Sequence, residues 1–307
     1  MRLDQIKALK WPKVWSRPQN SRILLVDGDG SCYQAAFSVK TLPTAIKRVQ
    51  QDVLTKMFMA GCGRARVHLT AKGNRKAERG RVRAAKPYQG SRKGKPKPPL
   101  LEPLREALAA SGSLPEVSFI LQTDVEADDA IIMDSYTFKH NGVVVSPDKD
   151  LRQTIHPWYD IGTGLVDEGA SPGWLGLVDM ERTGTQKLVG RGMEFFWAQM
   201  LMGDTADNVA GLTRYEGKTI GPKKTHDLLN GLSERECATL VLEAYAKNNQ
   251  NAIAEAWLLY LLRSPEDNVM RYLESLKLSK SVRDQIEEWS AEDWFDDNYE
   301  EEEYEDS

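Results

Sequence analysis

Apolar residues in the first half of the chain fall into short runs: Ile23-Leu-Leu-Val26, Arg66-Val-His-Leu69, Val117-Ser-Phe-Ile-Leu121 and Gly142-Val-Val-Val-Ser146. Runs of this length, rich in β-branched residues and bounded by turn formers, predict buried strands. Between them the spacing changes to three and four. Ala45, Ile46, Val49, Val53, Leu54, Met57 and Phe58 predict a helix over about 44–60, and shorter patterns predict helices over Leu104–Ala110 and Asp128–Lys139. Strands alternating with helices predict an α/β fold with a mainly parallel central sheet covered on both faces. After Asp150 the pattern becomes helical, with expected helices at 194–202 and about 223–230, 233–247, 251–263 and 267–277. A hairpin is expected around Thr183-Gly184, within 174–190. No repeat period is visible.

Two stretches break this pattern by composition. From Lys72 to Pro99, Lys72, Arg75, Lys76, Arg79, Arg81, Arg83, Lys86, Arg92, Lys93, Lys95 and Lys97 face a single acid, Glu78. Such a segment cannot bury a core. From Glu287 onward there are 12 acids and no Lys or Arg, interleaved with Trp289, Trp294, Phe295, Tyr299 and Tyr304. The formal net charge of -4 therefore averages a cationic body of about +8 with an acidic tail. The expected organisation is an α/β domain over 1–190 with the basic segment at about 72–99, a helical region over 191–285, and an acidic, disordered tail over 286–307. The 3 cysteines, Cys32, Cys62 and Cys237, have no CxxC spacing and read as reduced thiols. The longest apolar run, Ala256–Leu262, is far below the ~20 residues that span a bilayer. A cytoplasmic protein without a membrane partner is expected, acting as a monomer.

Acids recur where strands end. Asp27 closes the first strand, Glu126, Asp128 and Asp129 follow the third, Asp148 and Asp150 follow the fourth, and Asp204 and Asp207 sit three apart in Gly203-Asp-Thr-Ala-Asp-Asn208. Ligands of doubly wound sheets bind beyond the carboxyl ends of the strands. One Asp-Asp pair opening a helix can merely complement the helix dipole; it is the ordered recurrence that points to a site. Carboxylates packed together repel unless a cation compensates them, and an oxygen-only donor set suits Mg²⁺ or Mn²⁺ rather than zinc. Two such ions, about 4 Å apart, hydrolyse phosphodiesters. The basic segment supplies what the acids lack, cations that attract a nucleic-acid backbone. The stretch Gly211 to Thr219 resembles a Walker A loop, but five residues separate its glycines and no strand precedes it, so ATP binding is discarded. Its continuation, Gly221-Pro-Lys223-Lys224-Thr225, is a turn into a helix that exposes backbone N–H groups to a phosphate. The histidines His68, His140, His156 and His226 lack ligand spacing and read as structural.

With these residues in hand, the chain resembles the structure-specific 5′-nuclease family, which includes flap endonucleases, the 5′-nuclease domain of bacterial DNA polymerase I and the 5′→3′ exonucleases of tailed phages. The matching blocks are Leu25-Val-Asp27-Gly, Pro87-Tyr88-Gln-Gly-Ser-Arg92, Glu126-Ala-Asp128-Asp129, Ser146-Pro-Asp148-Lys-Asp150-Leu, and Gly203-Asp204-Thr-Ala-Asp207-Asn208 followed by Gly221–Thr225, in the family's order over roughly 22–230. The phage branch is the nearest likeness. The resemblance implies a PIN/5′-nuclease-like fold with a helical arch and a helix-turn-helix at about 203–230. It implies one metal site of Asp27, Glu126, Asp128 and Asp129 and a second of Asp148, Asp150, Asp204 and Asp207. Lys72, Arg75, Lys76, Arg79, Arg83, Lys86 and Tyr88 would line the arch, Arg92 would steer the scissile phosphate, and Lys218, Gly221, Lys223, Lys224 and Thr225 would grip duplex phosphates with a bound K⁺. The implied activity is 5′→3′ exonuclease and flap-endonuclease cleavage of DNA, extending to RNA of RNA–DNA hybrids, in phage DNA replication, primer removal or host DNA breakdown. The tail would bind a basic replication protein or compete with DNA. Three departures stand out: Leu69-Thr-Ala-Lys72 lacks an Asp that relatives place after the second strand, Gln89 replaces an arch lysine, and Thr213–Lys218 lengthens the helix-turn-helix hairpin.

Two rival readings exist. Asp27-Gly-Asp29-Gly30 also fits the nucleophile motif of haloacid dehalogenase-type phosphatases, with Asp27 attacking phosphate. A non-catalytic DNA clamp would use the basic segment alone, and it leaves eight acids as a standing cost to phosphate affinity.

Overall fold

In this computed structural model residues 19–92 and 95–296 are described; the first eighteen residues, Lys93, Gly94 and the acidic run from Asp297 onward lie outside the described residues. Four apolar runs form parallel strands: β1 (Gln19–Asp27), β2 (Cys62–Thr70), β3 (Val117–Gln122) and β4 (Gly142–Val145). Two short strands, β5 (Trp158–Asp160) and β6 (Leu165–Asp167), complete a six-stranded sheet of order β3-β2-β1-β4-β5-β6, in which β6 alone runs antiparallel to its neighbour. The chain steps outward from β1 to β2 and β3, then returns to the other side of β1 for β4. This reversal opens a crevice beyond the carboxyl ends of β1 and β4.

Helices cover both faces, and β1 shows why its run is continuous rather than alternating. Leu24 and Val26 pack on one face with Val49, Val53, Leu104, Leu108, Val143 and Val145. Leu25 packs on the other with Ile131, Ile132, Val144 and Leu151. The first face is covered by α1 (Gly28–Ser38), α2 (Leu42–Met59) and α3 (Leu101–Ser111), the second by α4 (Ala127–Phe138). α1 starts where β1 ends, and Gly28 is needed there because a Cβ would lie 2.6 Å from Leu69 and Val67.

The expected hairpin is present as β7 (Trp174–Met180) paired with β8 (Thr185–Arg191), closed by Gly184 at φ 65. The helical half follows as α5 (Met193–Met202), α6 (Pro222–Leu229), α7 (Glu234–Lys247), α8 (Ala252–Leu259), α9 (Val269–Ser275) and α10 (Lys280–Ser290). Its core is aromatic, with Phe196, Trp197, Tyr245, Tyr260 and Tyr272 buried together. No helix among the described residues is long and apolar enough to cross a membrane.

Two expectations are revised. The basic segment, expected as a helical arch, contains only short 3₁₀ turns at Lys76–Arg81 and Gly90–Arg92 among its described residues. Its prolines and glycines disfavour a longer helix, and Ala77 and Glu78 take positive φ inside the first turn. The boundary drawn at 286 also moves. Ile286 and Trp289 are buried in α10, and the chain up to Asp296 runs back along the basic segment. There Val82 forms an antiparallel bridge with Phe295, while Arg83 N–H donates to the Trp294 carbonyl at 2.8 Å.

Candidate metal centre at the carboxyl edge of the sheet

β1 delivers Asp27 to the crevice, where it caps α1 by accepting from Asp29 N–H at 3.0 Å. Its other oxygen accepts from Ser146 Oγ, also at 3.0 Å, and Ser146 lies just beyond β4. Burial, then the charges of Asp29 and Asp148, push the Asp27 carboxyl up to about 6. Asp128, in the first turn of α4, accepts no hydrogen bond among the described residues. Burial and then Asp27, Asp148 and Glu126 push it well above the carboxylate range. Glu126 precedes α4 and is also raised by burial, although Arg79 and Tyr88 oppose the shift. Tyr88 Oη donates to Glu126 at 2.6 Å and Gln89 Nε2 at 3.1 Å. Asp27, Glu126, Asp128 and Asp148 thus repel one another in a poorly solvated pocket, the electrostatic condition that a divalent cation relieves.

The second group is tighter. Ligand oxygens of Asp150, Asp204 and Asp207 all lie within 4.8 Å of one another. Asp150 follows β4 and accepts from Gln199 Nε2 on α5. Asp204 opens the loop after α5, which a β-bridge between Asp204 and Val209 closes. Gly203 turns the chain there at φ 72, where a Cβ would meet the Ala210 carbonyl oxygen at 2.4 Å. Lys149 Nζ sits between two of these acids, 2.7 Å from Asp150 Oδ1 and also bonded to Asp204. Arg92 holds the third at 2.7 Å from Asp207 Oδ1. Burial and Asp148 push Asp150 up to about 7 despite Lys149. In Asp204 burial is outweighed by the hydrogen bond and charge of Lys149, and its carboxyl falls below the usual range. Burial raises Asp207 despite Arg92. The donor set is oxygen only and already surrounds cationic atoms, which fits a hard divalent ion.

Several predicted residues lie elsewhere. Asp129 is fully buried and faces away from the pocket into a bidentate pair with Arg79, at 2.6 and 2.7 Å, and accepts from Leu262 N–H at 3.1 Å. With its lone pairs so occupied it holds the fold together rather than facing a ligand. Arg79, expected to contact nucleic acid, is 2 % exposed. It also donates to Glu126 and to the Tyr260 carbonyl oxygen, at 3.3 and 2.8 Å, so it cannot meet a phosphate backbone. Thr225 is likewise fully buried in α6. Arg83 is exposed but paired with Asp293 and Asp296. Arg75 is paired with Glu78 and Asp124, and Lys76 lies half-buried. Lys72, Lys86, Lys218, Lys223 and Lys224 are at the surface, Lys223 beside Asp227 and Lys224 over the Tyr215 ring. Gly221 caps α6. His68, read as structural, is buried between Asp134 and Gln122, each 2.9 Å away.

Other site neighbours were not singled out as site residues in the sequence. Gln89 Nε2 bridges Glu126 and Asp207, joining the two acid groups. Glu255, 1 % exposed in α8, accepts from Ala85 N–H at 2.9 Å and Gly211 N–H at 3.1 Å, tying the basic segment to the Asp204 loop. Glu255 stands as a lone polar residue in an apolar helix, and Gln199 shares an otherwise apolar one with Glu194. That pattern is itself a signal, because buried polar groups need partners.

No family model matches the chain, and no curated protein matches it in sequence. Among solved structures it is similar to the bacteriophage T5 D15 protein co-crystallised with metal ions, at 14% identity over 88% of this chain and 98% of that one, with a TM-score of 0.52. It also matches T5 5′-exonuclease with bound divalent zinc, at 13% identity over 88% of this chain and 98% of that chain, with a TM-score of 0.48. The T5 D15 flap endonuclease in complex with DNA and metal ions matches at 12% identity over 87% and 99%, with a TM-score of 0.47. The first of these likenesses establishes a shared architecture, a mainly parallel sheet flanked by helices.

Proposed function

We propose that this chain, built on the 5′-nuclease fold, is a metal-dependent 5′→3′ exonuclease with flap-endonuclease-like action on duplex DNA. The observation that carries this reading is the convergence of two carboxylate groups on one sheet edge, one of them with three ligand oxygens within 4.8 Å. Asp27, Glu126, Asp128 and Asp148 would hold one Mg²⁺ or Mn²⁺, and Asp150, Asp204 and Asp207 the other. Bound there, such ions lower the pKa of a coordinated water and neutralise charge on a leaving oxygen.

The remaining parts of the reaction fall to side chains. Tyr88 and Gln89 orient Glu126 by hydrogen bonds at 2.6 and 3.1 Å. Gln199 fixes Asp150. Exposed Lys72, Lys86 and Arg92 would draw the 5′ end of a strand toward the acids. Lys218, Lys223, Lys224 and the Gly221 turn would take duplex phosphate farther along, with a monovalent cation. RNA in RNA–DNA hybrids is a further substrate of the same chemistry.

The phosphatase reading is weaker on this geometry. It gives no role to Glu126, Asp128, Asp148 and Asp150, whose charges act on one another and on Asp27 at the same sheet edge. The test is incubation of 5′-labelled duplex, nicked and flapped DNA with Mg²⁺ or with EDTA. Metal-dependent release of mononucleotides or short oligonucleotides is expected; intact substrate under every metal condition overturns the proposal.

A further inference from the structure

We infer that Lys149 and Arg92 are tethered placeholders for the divalent cation of the Asp150, Asp204 and Asp207 group, and that binding of this cation frees Arg92 for the substrate phosphate. The inference rests on the metal-centre reading above and adds an order of events to it.

Each acid of the group has a side-chain cation. Lys149 Nζ is shared by Asp150 and Asp204, and an Arg92 guanidinium nitrogen lies 2.7 Å from Asp207 Oδ1. With the acids ionised, three carboxylates and two side-chain cations sum to one negative charge. Three carboxylates and one divalent ion give the same sum. The exchange therefore leaves the local charge unchanged, which avoids a large electrostatic cost at a poorly solvated site.

Exposure separates the fixed partners from the movable ones. The side chains of Asp150, Asp204 and Asp207 are 13%, 1% and 20% exposed, against 38% for Lys149 and 55% for Arg92. The acids also keep neutral donors that hold them when the cations leave: Gln199 on Asp150, Ala206 N–H on Asp204 at 2.8 Å, and Gln89 Nε2 on Asp207 at 3.3 Å. Arg79 is the internal contrast, a guanidinium with the same carboxylate chemistry but 2 % exposure and a bond to the Tyr260 carbonyl oxygen, so it has no outward path.

Arg92 swings from a fixed base. Gln89 N–H donates to the Asp207 carbonyl oxygen at 2.8 Å and Asn208 Nδ2 to the Pro87 carbonyl oxygen at 2.9 Å, pinning the turn beside the acids. A guanidinium released there stays within reach of a phosphate at the site, where it can bind bidentately. Metal and phosphate affinity are then coupled, and by linkage the coupling is reciprocal.

The experiment measures Mn²⁺ binding by calorimetry and electron paramagnetic resonance, without nucleic acid, for the wild-type chain, Lys149→Met, Arg92→Met and the double variant. Removing a competing half-buried ammonium should tighten Mn²⁺ binding roughly five- to fiftyfold. In a second arm, binding of a 5′-phosphorylated phosphorothioate oligonucleotide is titrated with and without Mn²⁺. The wild-type affinity should rise with the metal, and Arg92→Met should abolish that rise. Mn²⁺ binding unchanged or weakened by Lys149→Met overturns this inference alone, as does a metal-dependent rise that survives Arg92→Met. Absence of Mn²⁺ binding in all four proteins overturns the metal-centre reading and this inference together.

Discussion

Replacing Arg79 by Met separates an internal strut from a nucleic-acid contact. Arg79 is 2 % exposed and its Asp129 partner is fully buried. Their bidentate pair at 2.6 and 2.7 Å joins the basic segment to α4, and the bond to the Tyr260 carbonyl oxygen reaches the end of α8. Removing one member of a buried pair strands the other charge and typically costs about 3–5 kcal/mol. Loss of the carbonyl bond adds about 1 kcal/mol, so Arg79→Met should destabilise the metal-free chain by roughly 4–6 kcal/mol. Asp129→Leu should behave similarly. The double variant Arg79→Met/Asp129→Leu removes both charges and should recover about 1–3 kcal/mol relative to additivity. Urea unfolding of the four proteins, with unchanged slopes as the two-state check, supplies the cycle. A loss below about 1 kcal/mol for Arg79→Met, accompanied by weakened DNA binding, would refute the reasoning and return Arg79 to the nucleic-acid surface.

The carboxyl groups set a pH dependence. Asp27 near 6 and Asp150 near 7 lie above the ordinary 3.8, so the folded state binds more protons than the unfolded state between those values. Metal-free stability should therefore fall as pH rises from about 4 to about 7, by up to about 1.4 kcal/mol per pH unit for each group. Urea midpoints in EDTA measure this slope, Mg²⁺ should flatten it, and a slope of opposite sign contradicts the burial argument. Asp128→Asn removes a repelled carboxylate that has no hydrogen-bond donor among the described residues. It should stabilise the metal-free chain by about 1 kcal/mol and retain DNA binding while hydrolysis is lost; retained hydrolysis would mean the site is misplaced. At the C-terminal strap, Phe295 lies 4.6 Å from the Arg81 guanidinium and 6.3 Å from the Trp257 ring. Phe295→Ala should cost about 1–2 kcal/mol, whereas Arg83→Ala, whose pairs are exposed, should cost less than about 1 kcal/mol. Melting curves that reverse this order would show that charge, not aromatic packing, holds the strap.

The sequence by itself determined strands β1 to β4, the β7–β8 hairpin, most of the helices and the order of the acids, but not the short edge strands β5 and β6. Short continuous runs such as Leu24-Leu25-Val26 and Val143-Val144-Val145 fit a strand buried on both faces, and their side chains do alternate between two cores. Ala45, Val49 and Val53 similarly fixed the buried face of α2. Helix α10 was hidden by its acids, although Val282, Ile286 and Trp289 kept an apolar stripe at helical spacing. Charge alone could not say which ions face solvent. Arg79 and Arg83 stand in the same basic run, yet one is an interior strut and the other a surface partner of the strap. Asp128 and Asp129 are neighbours, yet a rotation of about 100° per helical residue turns one toward the acids and the other toward Arg79. Local pattern fixes periodicity and composition. Which carboxylate meets a cation, and whether that cation is a lysine, a buried arginine or a metal, depends on elements far apart in the chain meeting at one edge of the sheet.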